Sequence, residues 1–331
     1  MLWGTATSAD IMRTLLTGAA GFVGANLARR LLVDGHEVAL VVRPGSDLWR
    51  LEDLRGTCRI VEVDIESLAE VDDIVREVAP DWVFNLAAYG AYSTQSDVHR
   101  MVATNVVGTA NLLEAAAGAG CSAFVQAGSS SEYGFKDHPP AESEAVQPNS
   151  WYAVTKASAT LHCVHAGQSG LVPTVTLRLY SAFGPWEEPT RLMPTFALAA
   201  LDGRLPPLVA PDVARDFVHV DDVVHAFLRA ADCASVVSGS IYNVGTGTQT
   251  SMLQLVEMGR AVLGVRDTPR WGSMPNRTWD SAVWVADPSR IRRDLGWRPQ
   301  VGVDEGIRRL ADWLDDDRIR TVYETRRAPP T

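Results

Sequence analysis

Short apolar runs alternate along the first half of the chain with segments of helical period. Arg13–Thr17 reads as a buried strand, followed by Gly18 to Gly24 and by a helical pattern over Ala25–Val33. Glu37–Val42 and Arg59–Val63 repeat the strand pattern. Ser67 is placed to cap a helix over Leu68–Val78, which Pro80 stops. Trp82–Leu86 is a fourth strand, Asp97–Ala117 a long helix and Ala123–Ala127 a fifth strand. A loop rich in Pro139, Pro140, Glu142 and Glu144 leads to a helix over Tyr152–Gln168, and Val175–Leu179 is a sixth strand. Strand and helix in strict alternation predict an α/β fold with a parallel sheet wound on both faces. From Trp186 the alternation fails. The pattern there predicts a strand over Ile241–Val244, a helix near Ser251–Leu263, and a helix opened by Asp287-Pro288-Ser289-Arg290, with Asp287 as N-cap, and closed by Gly296. This implies a main domain of residues 13–185 with segments returning near 215–245. A smaller, discontinuous C-terminal α/β lobe of about 186–316 lies against it, and residues 1–12 and 325–331 are expected to be loose ends.

The chain has 331 residues, 46% apolar and 21% charged, with net charge -10. That balance argues against nucleic acid or an anionic membrane as partner, so an anionic ligand must meet local arginines or helix N-termini. Cys58, Cys121, Cys163 and Cys233 are scattered, and no histidines or cysteines have metal-ligand spacing. Free thiols in a reducing cytosol are expected, with no metal. The first residues lack the basic start and apolar core of a signal peptide. No run reaches the ~18 apolar residues of a membrane span. A cytoplasmic location is the expectation.

Against that pattern the candidate chemistry falls at strand ends. Strand, glycine turn and helix in sequence give the Gly18-x-x-Gly21-x-x-Gly24 spacing its meaning. Gly18 permits the tight turn, Gly21 lets a diphosphate approach the backbone, and Gly24 lets the helix pack on the sheet. The amides of Phe22 and Val23 open the helix toward the phosphates. The second strand ends in Arg43-Pro44-Gly45-Ser46, where an NAD-binding unit carries a carboxylate; Arg43 and Ser46 suit the 2′-phosphate of NADP. Arg43 is otherwise a solvated turn arginine, and nearby Asp47 keeps NAD open. Asp64 and Ile65 fall at the adenine edge, and Leu86, Ala87 and Ala88 are small enough to let backbone approach a flat cofactor. Gly128-Ser129-Ser130-Ser131 stands at the fifth strand's carboxyl end, as a capped turn or as hydroxyls for a reacting oxygen. Tyr152 and Lys156 lie one helical turn apart. At roughly 5 Å, with an effective dielectric near 20, the lysine favours phenolate by about 3 kcal/mol. That predicts a phenol titrating about two pH units below its usual ~10.

Together these pieces resemble the extended short-chain dehydrogenases/reductases, in their nucleotide-sugar epimerase, dehydratase and ketoreductase branch. The resemblance covers about residues 13–316. It rests on Thr17-Gly18-x-x-Gly21-Phe22-x-Gly24, Asn85-Leu86-Ala87-Ala88, Gly128-Ser129-Ser130, Tyr152-x-x-x-Lys156, Arg178 through Gly184-Pro185, Arg215 through Asp222, and Asp287-Pro288-Ser289-Arg290 with Leu295-Gly296-Trp297-x-Pro299. It implies a Rossmann-type fold with Ser129, Tyr152 and Lys156 as the catalytic group. Tyr152 is then the acid/base, and Lys156 also holds the nicotinamide ribose. Asn105, Tyr180 and Ser181 join the cofactor site by the same resemblance. Ser130, Ser131, Arg191, Leu208, Val209, Arg215 and Arg277 join the site of a nucleoside-diphosphate sugar. Arg215 and Arg277 are also readable as surface ion-pair arginines, and Trp279 and Trp284 as core rather than cleft residues. Homodimerisation through the helices holding Asn105 and Tyr152 is implied as well.

Dehydratases of this branch follow the catalytic Ser or Thr with an Asp-Glu pair. Here Ser130 and Ser131 stand there and Glu132 is displaced by one, which argues against 4,6-dehydration because hydroxyls do not replace carboxylates as bases. The Arg43 signal tilts toward an NADPH-dependent 4-ketoreductase of a nucleoside-diphosphate 4-keto-6-deoxyhexose. The alternatives are a sugar 4-epimerase holding NAD and an NADP-sensing protein without turnover.

Overall fold

The structure, a computed structural model, describes residues 11–92, 94–275 and 283–327. Seven parallel strands form the central sheet: β1 Arg13–Thr17, β2 Glu37–Val42, β3 Arg59–Glu62, β4 Trp82–Asn85, β5 Ala123–Ser129, β6 Thr174–Leu179 and β7 Ser240–Val244. Their spatial order is β7-β6-β5-β4-β1-β2-β3. The order reverses between β1 and β4, the switch point at which such sheets open a ligand crevice beyond the strands' carboxyl ends.

Successive strand residues point to opposite faces. Leu16, Phe84, Val125 and Leu177 pack with the helices Phe22–Val33 and Val220–Cys233. Leu15, Val83 and Phe124 pack on the other face with Leu68–Val78, the 98–118 run and Trp151–Gln168. Both faces are covered, which is why the strands read as continuous apolar runs. The chain leaves the sheet after β6 and returns for Val220–Cys233 and β7. A further apolar cluster joins Met193, Ala197, Leu255, Ile307, Leu310 and Leu314.

Three local readings need correction. The helix expected over 97–117 is Val98–Val102, a π-helical turn Ala103–Val107, then Gly108–Gly118. The extra residue per turn turns Asn105 inward, 1% exposed. Asp287 sits one place before the cap: the helix is Ser289–Leu295, and the Asp287 carboxylate accepts from the Ser289 amide at 2.9 Å. The chain end is not loose from residue 325. Asp317–Arg327 is a helix, pinned by the buried ring of Tyr323 and by the 2.7 Å ion pair of Arg326 with Asp47.

Candidate active site

The glycine turn is built by exclusion of side chains. Gly18 has φ +68°, and a β-carbon there would lie 2.6 Å from the Ala87 nitrogen; one on Gly24 would strike the Gly18 carbonyl. Gly21 N–H bonds the Gly18 carbonyl at 2.9 Å, and the helix Phe22–Val33 starts without a side-chain cap. The first amides of that helix have no intrahelical acceptor and face the crevice end of the sheet. A polar ladder supports this edge: the Thr17 hydroxyl bonds Asn85 at 2.6 Å, and Asn85 donates to Gln126 at 2.8 Å and to Thr109 at 3.1 Å. Leu86 and Ala87 are half-buried and Ala88 is exposed, so backbone is accessible beside the turn.

At the outer end of β2, Arg43 is exposed and makes no ion pair among the described residues. Gly45 has φ +71°, and the Ser46 amide bonds the Arg43 carbonyl at 3.0 Å. Asp47 is ion-paired with Arg326 at 2.7 Å. Asp64 is half-buried at the end of β3, and the Ile65 side chain packs against Gly108.

The fifth strand delivers Ser129 into the short helical turn Ser130–Tyr133. The Ser129 hydroxyl lies 2.6 Å from that of Ser131 and accepts from the Ser131 amide. The Ser129 hydroxyl is also close enough to the Tyr152 phenol to lower its pKa. Glu132 is fully buried. Its carboxylate accepts from the Ser129 amide at 2.8 Å, the Thr160 hydroxyl at 3.1 Å and the Arg178 Nε at 2.8 Å. Arg178 in turn lies 4.4 Å over the Tyr133 ring, whose hydroxyl bonds Asn243 at 2.8 Å. Glu132 therefore fixes the serine turn and has no free oxygen pair for proton abstraction.

Tyr152 is half-buried on the first turn of Trp151–Gln168, whose N-cap is Ser150. Here the expected electrostatics fail. Burial pushes the phenol up to about 12; the Ser129 hydroxyl and the Arg191 charge only partly offset it. Lys156 does not act on it. Its ammonium is buried, directed at the Ala127 carbonyl at 2.5 Å, and burial holds its own pKa below the usual lysine range. The phenol is therefore protonated at neutral pH and is able to donate a hydrogen bond or a proton.

The remaining expected residues separate into groups. Arg191 belongs to the crevice: it donates to the Ala91 carbonyl at 2.9 Å, lies 5.1 Å from the Tyr92 ring and its charge reaches Tyr152. Ser130, Tyr133, Tyr180 and Trp284 line one pocket, so Trp284 is a cleft residue rather than core. Tyr180 presents a buried hydroxyl without a partner among the described residues, and Ser181 is half-buried beside it. Arg215 lies 5.6 Å from the Trp284 ring and donates to the Ala214 carbonyl at 2.7 Å. Asn105 is diverted. Its oxygen accepts from the Tyr89 amide, and both its amide hydrogens are engaged, with the Tyr89 carbonyl and the Thr155 hydroxyl, at 2.8 to 2.9 Å. It braces the loop after β4 against the Tyr152 helix. Leu208 is likewise not open for backbone contacts. Leu208 pairs with Ser273 and Met274, the Val209 carbonyl accepts from Gly272, and both side chains are buried. Arg277 and Trp279 lie outside the described residues.

Two side chains carry information that sequence reading missed. Asp216 is fully buried and accepts from Thr246, Gly247 and Ala286 amides at 2.8 to 3.0 Å, tying the return loop to the base of the crevice. Glu187 is buried beside Arg191 and Tyr92, one oxygen unpartnered among the described residues, and burial pushes its carboxyl up to about 8. Neither is marked by a spacing, because both roles come from long-range packing.

A doubly wound sheet with a glycine turn at its switch point, and a Tyr-Lys helix beside a serine turn, define a dinucleotide-dependent enzyme class. Residues 14–245 match the family described as the NAD dependent epimerase/dehydratase family, and the chain belongs to it. It is 34% identical over 315 residues to a UDP-glucose 4-epimerase of Mycolicibacterium smegmatis, covering 92% of this chain and 98% of that protein. It is 31% identical to a dTDP-glucose 4,6-dehydratase of Streptomyces griseus, covering 92% and 94%. The solved UDP-glucose 4-epimerase of Thermus thermophilus in complex with NAD superposes with TM-score 0.80 at 29% identity, covering 92% of this chain and 100% of that one.

Proposed function

We propose that the chain is a nucleoside-diphosphate-sugar 4-epimerase using NAD. The observation that carries this is the hydroxyl character of the reacting edge. Ser129, Ser130, Ser131 and Tyr152 meet there while the neighbouring carboxylate, Glu132, is fully engaged by Arg178, Thr160 and the Ser129 amide. Proton exchange at a sugar oxygen needs such donors, whereas elimination of water needs a free carboxylate base. The M. smegmatis relative supports epimerisation over net reduction.

The Gly18 to Gly24 turn and the amides of Phe22 and Val23 fit a diphosphate. Asp64, Ile65, Leu86, Ala87 and Ala88 surround the adenosine and nicotinamide sides, and Tyr180 and Ser181 border the reacting end. When bound, NAD takes up and returns the hydrogen at C4 as hydride. Tyr152 exchanges the proton of the C4 oxygen, and Ser129 holds that oxygen and the phenol together. Lys156, whose ammonium donates to the Ala127 carbonyl, is the residue proposed to hold the ribose side. Ser130, Ser131 and Arg191 border the sugar, and Arg215 is the arginine for the diphosphate or ribose. Because the phenol rests protonated, the half-reaction that removes a proton from C4–OH is the harder one. Turnover is therefore expected to rise with pH from 7 to 9.

Arg43 favours a second reading. Its guanidinium, exposed and without an ion pair among the described residues, suits a 2′-phosphate, which a net ketoreductase drawing on NADPH would use. One experiment separates the two. The purified chain is incubated with UDP-glucose and dTDP-glucose, and with NADPH plus a 4-keto-6-deoxy sugar nucleotide, following both absorbance at 340 nm and the sugar by NMR. Isomerisation at C4 without net cofactor change supports the epimerase. Loss of one NADPH per product supports the reductase, and binding without turnover contradicts both.

A further inference from the structure

Arg50 lies outside every role assigned above. It sits in the short helical turn Trp49–Leu54 beyond the end of β2 and is 6% exposed. Each nitrogen of its fork has a different acceptor. Nε donates to the Trp186 carbonyl at 2.7 Å, Nη1 to the Ala20 carbonyl at 3.3 Å and Nη2 to the Glu188 carboxylate at 3.0 Å. Ala20 is inside the Gly18–Gly21 turn, whereas Trp186 and Glu188 are on the segment that leads to Arg191. One planar cation thus joins the dinucleotide turn to the sugar-side segment.

The surroundings hold this fork in one position. The Trp49 ring lies 4.2 Å from the guanidinium. Arg29 donates to the Arg50 carbonyl at 2.7 Å and lies 4.0 Å over the Trp186 ring. Trp186 itself adopts φ +69°, a conformation unfavourable for a side chain of its size, and so needs such external support. Beyond it, the Tyr323 hydroxyl fixes the Glu187 carbonyl at 2.6 Å. Desolvating a guanidinium for one partly exposed carboxylate is a poor source of stability, which leaves geometry as the better account of its placement. A lysine supplies the charge but not a rigid fork reaching three acceptors.

We propose that Arg50 is a positioning residue that couples the two ligand sites, an inference that rests on the nucleotide-sugar reading above. A sugar nucleotide that orders the segment from Trp186 to Arg191 holds, through Arg50, the glycine turn in place on the dinucleotide. By linkage the dinucleotide favours the sugar nucleotide by the same factor. Neither effect requires Arg50 to touch a ligand.

The test is the release rate of NADH from the full-length protein, followed by its fluorescence after mixing with excess NAD, with and without UDP-glucose or dTDP-glucose. Wild type is expected to release NADH about fivefold or more slowly with the tighter-binding of the two sugar nucleotides, the lower end of measured couplings between sites. In Arg50→Lys the ratio is expected to fall to near one. In Glu188→Gln, which keeps the bonds to Ala20 and Trp186, it is expected to be intermediate. Circular dichroism and thermal melting establish that each variant is folded. An unchanged ratio in Arg50→Lys, or a ratio of one in wild type, overturns the coupling. Should Arg50→Lys not fold, Glu188→Gln decides, and an unchanged ratio there is equally fatal. A wild-type protein that holds no dinucleotide overturns the functional reading as well. One that epimerises sugars but is insensitive at position 50 leaves that reading intact and removes the coupling alone.

Discussion

Tyr152 was legible from its spacing to Lys156, but its protonation was not. The sequence supplies a charge one turn away; the fold sends that charge to the Ala127 carbonyl and buries the phenol instead. Burial wins because the Ser129 hydroxyl and the Arg191 charge only partly offset the water the phenol loses. Tyr152→Phe is expected to lower turnover roughly 10²- to 10⁴-fold, the usual worth of a general acid–base group, while leaving NADH binding within about twofold. Steady-state rates and fluorescence titration check the two halves of that statement. Glu187 makes a stability prediction. Its folded pKa of about 8 exceeds the ordinary 4.5, so the native state keeps a proton that the unfolded chain loses. Stability from this group is present below pH 4.5 and declines as pH rises to about 8, by at most about 1.4 kcal/mol per pH unit. Glu187→Gln removes the decline. Its melting temperature should gain on wild type between pH 5 and 8 and hold a constant lead above that. A gain independent of pH contradicts the assignment.

At the scale of elements, strands and glycine turn followed from apolar runs and spacing, whereas two devices that set the site did not. The π-helical turn Ala103–Val107 exists because Asn105 gains three buried hydrogen bonds inside the fold, and no periodicity in the sequence announces it. Asn105→Ala leaves the Tyr89 amide and Thr155 without those partners. It is expected to cost about 2–4 kcal/mol in urea unfolding, the sum of one or two unsatisfied buried groups. Glu132 looked like a displaced catalytic carboxylate. The structure makes it the buried partner of Arg178 and the cap of the serine turn. Glu132→Gln should therefore cost about 3–5 kcal/mol in stability, as expected when a buried ion pair loses one charge. A stable Glu132→Gln protein with selectively lost turnover contradicts this and restores a chemical role for the residue.

For the whole molecule, strict alternation made the doubly wound sheet readable through β6. Beyond it the strand Ser240–Val244 and the helices Met252–Leu263 and Ser289–Leu295 were still readable singly, but not their place in the fold, because they return to an existing sheet or pack by long-range contacts. The helix Asp317–Arg327 is the clearest case: its sequence is strongly polar, and it is held by the burial of Tyr323, the packing of Ile319 and the ion pairs of Arg326 with Asp47 and Arg320 with Asp202. The exposed apolar side chains Val102, Val107, Trp151, Val154 and Leu161 are all on the 98–118 run and the Tyr152 helix. Pairing of that face between two copies is the proposed homodimer. Leu161→Glu is expected to yield a monomer in sedimentation velocity, with wild type a dimer. The most direct test of the central claim uses a sugar nucleotide carrying deuterium at C4, incubated with the wild-type protein. A 4-epimerase returns the same hydrogen to the same carbon, so the epimerised product keeps the label and absorbance at 340 nm is unchanged. Loss of the label to solvent or to free cofactor, or a product formed only as NADPH is consumed, contradicts the account.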